Sequence, residues 1–393
     1  MKKIIESLLA LTLVGVLLLS CTKEYGTERK HLSWEIRQAL EDSLDVAMHE
    51  ENVPGVIVGV WTPDGNWIVA RGVSNLVTGE PMDVDNHFRI GSVTKTFTGT
   101  VVLKLVDEGK ISLDSTLAYY LPQYAFPEAD KITVRMLGNM SAGIYDFIRD
   151  WPLLDACCRL HWDVQFSADS LVKVALQHPL NFEPGTQYGY SNTNTVLLGL
   201  ICQKVTGKPI DQLMEEMIFI PYELNNTSWP HNNYLPVPYS KGYTRATVNN
   251  VFEEATYYNV SWADAAGILI SNIYDLKKWV RLLASGELYS AAMQVERLNW
   301  NPASYNGYGF AIMNASGNPD NMILGHDGAV WGFNTYAVHL PNYDITVIVS
   351  VNFYGGVSAL PADDIAMKVI GVLVTNLENE SLLKSRLDTR DIR

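Results

Sequence analysis

Apolar residues recur every four positions at Leu32, Ile36, Leu40, Leu44 and Met48. That spacing places them on one face of an amphipathic helix and predicts a helix over 32–49. The period then changes. Val56-Ile57-Val58-Gly59-Val60-Trp61 and Trp67-Ile68-Val69-Ala70 flank Pro63-Asp64-Gly65-Asn66, two β-rich runs about a turn, which predicts a hairpin. Segment 92–108 reads as a helix, 111–235 alternates helical stretches with Gly/Pro/Asn loops, and 273–285 is a further helix stopped at Gly286. The last third holds β-rich runs at 308–314, 322–326, 335–340 and 345–352, closed by an apolar helix over about 358–376. The links between these runs are too short for a parallel crossover, so the strands must pair antiparallel. The expected architecture is an α+β fold: an antiparallel sheet built from both chain ends, around a largely helical middle. It occupies 39–376 as one unit, with a charged tail over 377–393 that frays.

The first twenty residues have another pattern. Lys2 and Lys3 precede an apolar run over 8–19, and twelve residues are too few to span a bilayer, which takes about 20. This is the layout of an export signal. It ends Leu18-Leu19-Ser20-Cys21, which resembles a bacterial lipobox. The expectation is a signal over 1–20, lipid attachment at Cys21, a tether over 21–38 and residence in the cell envelope, anchored to a membrane.

Charge and composition narrow the function classes. The 43 acidic residues outnumber the 29 basic ones for a net charge of −14, and no basic patch stands out, so nucleic acid is not expected as a partner. An apolar fraction of 47% is enough to offset ordering entropy and excludes disorder. Four cysteines do not make a disulfide scaffold. Beyond Cys21 they are Cys157, Cys158 and Cys202, read mainly as buried thiols. No CxxC or HExxH spacing occurs, so neither a metal nor a cofactor is expected.

Three short motifs carry candidate chemistry. Gly91-Ser92-Val93-Thr94-Lys95 opens a predicted helix, where Ser and Lys at i and i+3 share a face and the helix N-terminus favours an oxyanion. Lysine in a dry pocket can take the serine proton. Tyr190-Ser191-Asn192 follows the turn Phe182-Glu183-Pro184-Gly185. A nearby ammonium would lower the Tyr190 phenol towards a base, while Asn192 offers a donor and an acceptor to a substrate amide. His326-Asp327-Gly328 ends a β-rich run, with Gly328 allowing close approach of a substrate and the Ala329 N–H joining that of Ser92 as an oxyanion hole. Each motif alone is weak: S-x-x-K occurs four times here, and Y-x-N recurs at Tyr257-Tyr258-Asn259.

Taken together and in this order, the motifs resemble the serine β-lactamase and penicillin-binding protein superfamily, in the branch whose second motif is Tyr-x-Asn. The resemblance runs over about 39–375 and includes Phe88-Arg89-Ile90-Gly91, Ile132-Thr133-Val134-Arg135 and Gly325-His326-Asp327-Gly328. It implies a sheet flanked by helices, an all-α subdomain and a site in the cleft between them. It implies that Ser92 forms an acyl-enzyme, that Lys95 and Tyr190 handle protons as one unit, and that Asn192, Gly328 and Ala329 bind substrate. His326 would hydrogen-bond across to Tyr190. A His where β-lactamases have Lys loses attraction for a carboxylate, because histidine is mostly uncharged at neutral pH. Asn139-Met140-Ser141-Ala142-Gly143-Ile144-Tyr145-Asp146 looks most like carboxypeptidase members and reads as structural support. The expected function is a lipid-anchored D-alanyl-D-alanine carboxypeptidase-like hydrolase of cell-wall or related peptides. The alternatives are a promiscuous esterase, a class C-like β-lactamase, or an idle lipoprotein that binds peptidoglycan. Tyr145, Trp151, Trp162, Trp262 and Trp331 are candidate cleft aromatics.

Overall fold

A computed structural model of the chain describes residues 32–150, 165–246, 250–304, 307–356 and 359–388, with side chains to 377. Cys21, Trp151, Cys157, Cys158 and Trp162 lie outside these residues. Helix α1 (Trp34–Glu51) is capped by Ser33, which accepts from Ile36 N, and is stopped by Asn52 in the left-handed conformation. It buries Leu40, Leu44 and Ala47, the face that the four-residue period marks. The predicted hairpin is β1 (Gly55–Thr62) and β2 (Gly65–Asn75). β1 pairs on its other side with a C-terminal strand, Val58 opposite Val349, so both chain ends build one sheet.

That sheet has seven antiparallel strands in the order β3-β2-β1-β11-β10-β9-β8. Here β3 is Glu80–Pro81, β8 Met313–Asn314, β9 Leu324–Val330, β10 Phe333–Leu340 and β11 Ile345–Val351. Five shorter strands pair outside it: β4 (Phe88–Arg89) with β7 (Ile270–Ser271), and β5 (Tyr243–Thr244) with both β6 (Glu253–Glu254) and β12 (Phe353–Tyr354). β11 is buried on both faces, which is why its sequence reads as an unbroken apolar run. One face packs on α1 and α6 (Pro361–Asp388) through Leu44, Val58, Val347 and Val369. The other, through Ile57, Ala337 and Ile348, meets the larger core with α2 (Thr94–Asp107), α4 (Asn192–Thr206) and α5 (Ile273–Ser285). Between α2 and α4 in the chain lies α3 (Ala168–Ala175). Phe97 of α2 stacks on Trp279 of α5 at 4.0 Å, fixing the serine-bearing helix against the sheet layer.

Three expectations change. Segment 308–314 is strand only at Met313–Asn314, because Tyr308, Phe310 and Ala311 turn inward as core. The last helix continues past 376 to Asp388. Trp262 and Trp331 pack edge to face at 5.2 Å inside the core and do not line a cleft, since burying two indoles there is worth more than exposing them. Only the first half of β9 is paired with β8, at Leu324 and Gly325. Its second half is thereby free to meet the turn that carries Ser92.

Candidate active site

Ser92 sits on the 3-10 turn Gly91–Val93 that runs into α2. The turn is tied by Ile90 N donating to Leu269 O at 3.0 Å and by the β4–β7 pair. It lies so close to β9 that neither surface tolerates a side chain. A Cβ on Gly328 would fall 1.9 Å from Ile90 O and 3.1 Å from Ser92 N. A Cβ on Gly91, whose φ is +50°, would fall 2.5 Å from Ala329 N. Gly328 was expected to admit a substrate; what it admits is the serine turn itself. The same contact brings the Ser92 and Ala329 amides to one junction, as an oxyanion hole requires.

One helical turn on, Lys95 is fully buried and its Nζ has three neighbours: Ser92 Oγ at 2.9 Å, Asn192 Oδ1 at 2.7 Å and Ala266 O at 2.8 Å. Burial lowers its ammonium to about 7, although Asp146 and Asp327 pull the other way. The neutral amine has two hydrogens and one lone pair. Asn192 Oδ1 and Ala266 O can only accept, so they take the hydrogens and the lone pair is left facing the Ser92 hydroxyl. This is the geometry of a general base.

Asn192 has no free amide to offer a substrate. Its Oδ1 is held by Lys95, and its Nδ2 donates to Asp146 at 3.1 Å and 3.3 Å to the two oxygens. Asp146 also accepts from the Asn192 backbone N–H at 3.1 Å. Burial raises the Asp146 carboxyl, with these donors and Lys95 opposing. Asp146 therefore orients Asn192, and Asn192 orients Lys95. The sequence marked Asp146 only as the end of a supporting loop, and no spacing linked it to a residue 46 positions later.

Lys95 Nζ stands 4.8 Å over the ring of Tyr190. The Tyr190 phenol is raised well above 10 by burial and then by Tyr308 and Asp327, which outweigh the lowering by the Ser92 hydroxyl. The expected lowering by a lysine ammonium fails because burial dominates at Tyr190, and burial also brings that lysine to about 7, so it carries only part of its charge at neutral pH. Tyr190 keeps its proton and can donate it.

His326 reaches a different tyrosine from the one expected. Its Nε2 pairs with Tyr308 OH at 3.2 Å, while the Tyr190 and His326 rings are 6.2 Å apart. Nδ1 lies 2.6 Å from Asp327 O and 3.2 Å from Asp327 Oδ1, both acceptors, so Nδ1 carries a hydrogen. Burial raises the Asp327 carboxyl, but the bond and charge of His326, with Lys95, bring it below its ordinary value. Tyr308, whose ring meets that of Tyr190 edge to face at 6.0 Å, gave no sequence signal. Tyr145 stacks on His178 at 3.8 Å, and Cys202 is a free, buried thiol that burial pushes far up.

Comparison with known proteins identifies the family and the fold. Residues 37–371 match the family described as Beta-lactamase. A D-aminopeptidase of Brucella anthropi is 28% identical over 84% of this chain, and the match spans 62% of that relative. A penicillin-binding protein 4 of Amycolatopsis lactamdurans is 26% identical over 87% of this chain and 90% of its own length. Among solved structures, a D-stereospecific amidohydrolase from Streptomyces sp. superposes with a TM-score of 0.75 at 30% identity, covering 85% of this chain and 97% of the other. A D-amino acid amidase from Ochrobactrum anthropi SV3, in complex with L-phenylalanine amide, gives 0.75 at 24% identity, over 87% and 99%.

Proposed function

The chain belongs to the beta-lactamase family, and on that premise we propose that it is a serine hydrolase cleaving amide or ester bonds through an acyl-enzyme on Ser92. The observation that carries this reading is the buried Lys95 Nζ at 2.9 Å from Ser92 Oγ, with its two other neighbours both acceptors. Ser92 Oγ attacks the substrate carbonyl carbon as its proton passes to Lys95 Nζ. The Ser92 and Ala329 N–H groups hold the oxyanion. The carbonyl–nitrogen bond, or carbonyl–oxygen bond in an ester, then breaks, and the leaving group takes the proton from Lys95 by way of Tyr190. Water repeats the sequence on the acyl group and frees Ser92.

Small peptides and amides, including D-configured ones, are the proposed substrates, because the D-aminopeptidase and the D-stereospecific amidohydrolase are similar over most of this chain. Action on cell-wall D-alanyl peptides is the narrower form of this proposal. It requires the site to accept a substrate carboxylate with His326 engaged by Tyr308 and Asp327. We also propose lipid attachment at Cys21 and residence at a membrane of the cell envelope, on the strength of the apolar run over 8–19 and Leu18-Leu19-Ser20-Cys21.

Incubation with a nitrophenyl acetate ester tests the reaction. Mass spectrometry of the quenched protein should place an acetyl group on the peptide containing Ser92, and Ser92→Ala should carry none. Equal acetylation of both proteins at another residue would overturn the proposal.

A further inference from the structure

We propose that Asp327 is a specificity-determining residue, whose carboxylate beside the Ser92 turn selects against substrates bearing a carboxylate next to the scissile bond. Substrates with a neutral or cationic group there are favoured. The inference rests on the serine-hydrolase reading above, names the substrate class of that same site and sets aside its narrower form, D-alanyl peptides whose leaving residue ends in a carboxylate.

The placement comes from β9. Asp327 and Ala329 are the half-open positions of a strand whose other residues are buried. Alternate residues of a strand share a face, so the two lie on one side. The residue between them, Gly328, packs so tightly on the turn that its Cβ would stand 3.1 Å from Ser92 N. A charge at 327 is therefore one residue from the backbone that meets the nucleophile. The side chain keeps 23% of its surface exposed, so a substrate can feel it with little solvent between.

Among the described residues, nothing permanently cationic is paired with that charge: its ion pair is with His326, at 3.2 Å, and with no arginine or lysine. Lys95 is the other positive group felt there, and burial leaves it largely neutral above pH 7. The remaining groups in its field are Tyr190, Tyr308, Tyr336, Tyr354 and Asp363, none of them cationic. Asp363, at the start of α6, is pushed up to about 8 by burial and then by Asp327, so a second carboxyl in this field already gives up its charge. A substrate carboxylate entering the same region would meet the same opposition.

The test uses two D-alanyl thioesters that differ only in leaving group, mercaptoacetate in one and mercaptoacetamide in the other. Wild-type kcat/KM should favour the neutral compound by about tenfold or more, the scale set by like charges several ångströms apart in a partly buried site. Asp327→Asn should bring the ratio near unity by raising kcat/KM for the charged thioester. Raising salt from 0.05 to 0.5 M (about 3-fold shorter screening length) should narrow the wild-type ratio without any substitution. A wild-type ratio near unity, or parallel loss on both substrates in Asp327→Asn, would overturn the proposal. If Ser92→Ala turned over both thioesters as wild type does, the serine-hydrolase reading itself would fail. If Ser92→Ala is inactive and the ratio ignores residue 327, only this inference falls.

Discussion

Asn192 Oδ1 accepts a hydrogen bond from Lys95 Nζ at 2.7 Å, and the same amide donates through Nδ2 to Asp146. A buried carboxyl thus sets the orientation of the base two hydrogen bonds away. Asp146 also raises the Lys95 ammonium through its charge, against the larger lowering by burial. Asp146→Asn keeps an acceptor for Asn192 but removes that charge, so the Lys95 proton should be held less tightly. The limb of kcat/KM that rises with pH, expected near 7 in wild type, should move to lower pH in Asp146→Asn. A pH profile on a neutral ester measures it, and a limb that stays put or moves upward would refute the coupling.

Tyr190 supplies a second discriminating case. Because burial and the neighbouring Tyr308 and Asp327 hold its phenol protonated, Tyr190→Phe should lower kcat by about 10²-fold, the scale of a lost proton donor. The ascending limb near pH 7 should survive. A profile that lost this limb in Tyr190→Phe would make the tyrosine the base and contradict the assignment to Lys95.

These two residues mark what the sequence could and could not reveal. Ser92 and Lys95 are three positions apart on one helix, so their contact follows from helical geometry and was readable. The hairpin 55–75, the helix ending at Gly286 and the antiparallel C-terminal strands were readable for the same reason, local period and turn chemistry. The protonation of Tyr190 was not, because it depends on burial and on residues brought together from 188, 308 and 327. Asn192 looked free for substrate only because Asp146, its partner, carries no motif. His326 was assigned to Tyr190 when Tyr308, hidden at the start of a segment misread as strand, lies within hydrogen-bond reach.

Gly328 makes a sharp structural prediction. A methyl group there would press on Ile90 O at 1.9 Å and on Ser92 N at 3.1 Å, both backbone atoms that cannot rotate away. Gly328→Ala should displace the serine turn and separate the Ser92 and Ala329 amides, lowering kcat/KM by about 10²-fold or more, as loss of an oxyanion donor does. The sheet should persist, since β9 still pairs with β10 from Leu324 to Val330. Circular dichroism near that of wild type with full activity would show that the turn is not held by this contact.

The buried Lys95 also leaves a signature in stability. Its ammonium falls from an ordinary 10.5 to about 7 in the folded protein, through burial. Between those two values the unfolded chain binds a proton at this residue and the folded chain does not. Stability therefore rises with pH across that window, and below about 7 both states are protonated and the dependence ceases. Lys95→Met removes the titrating group, so the wild-type protein should gain stability relative to the variant as pH goes from 7 to 10. The variant's absolute stability is less diagnostic, because methionine leaves Asn192 Oδ1 and Ala266 O without their donor, at about 1–3 kcal/mol each. Urea unfolding of both proteins at pH 7, 8.5 and 10 measures the difference, in which every other titrating group cancels to first order. A difference that stays constant over that range would mean that Lys95 is charged when folded, and its role as the base of Ser92 would have to be given up.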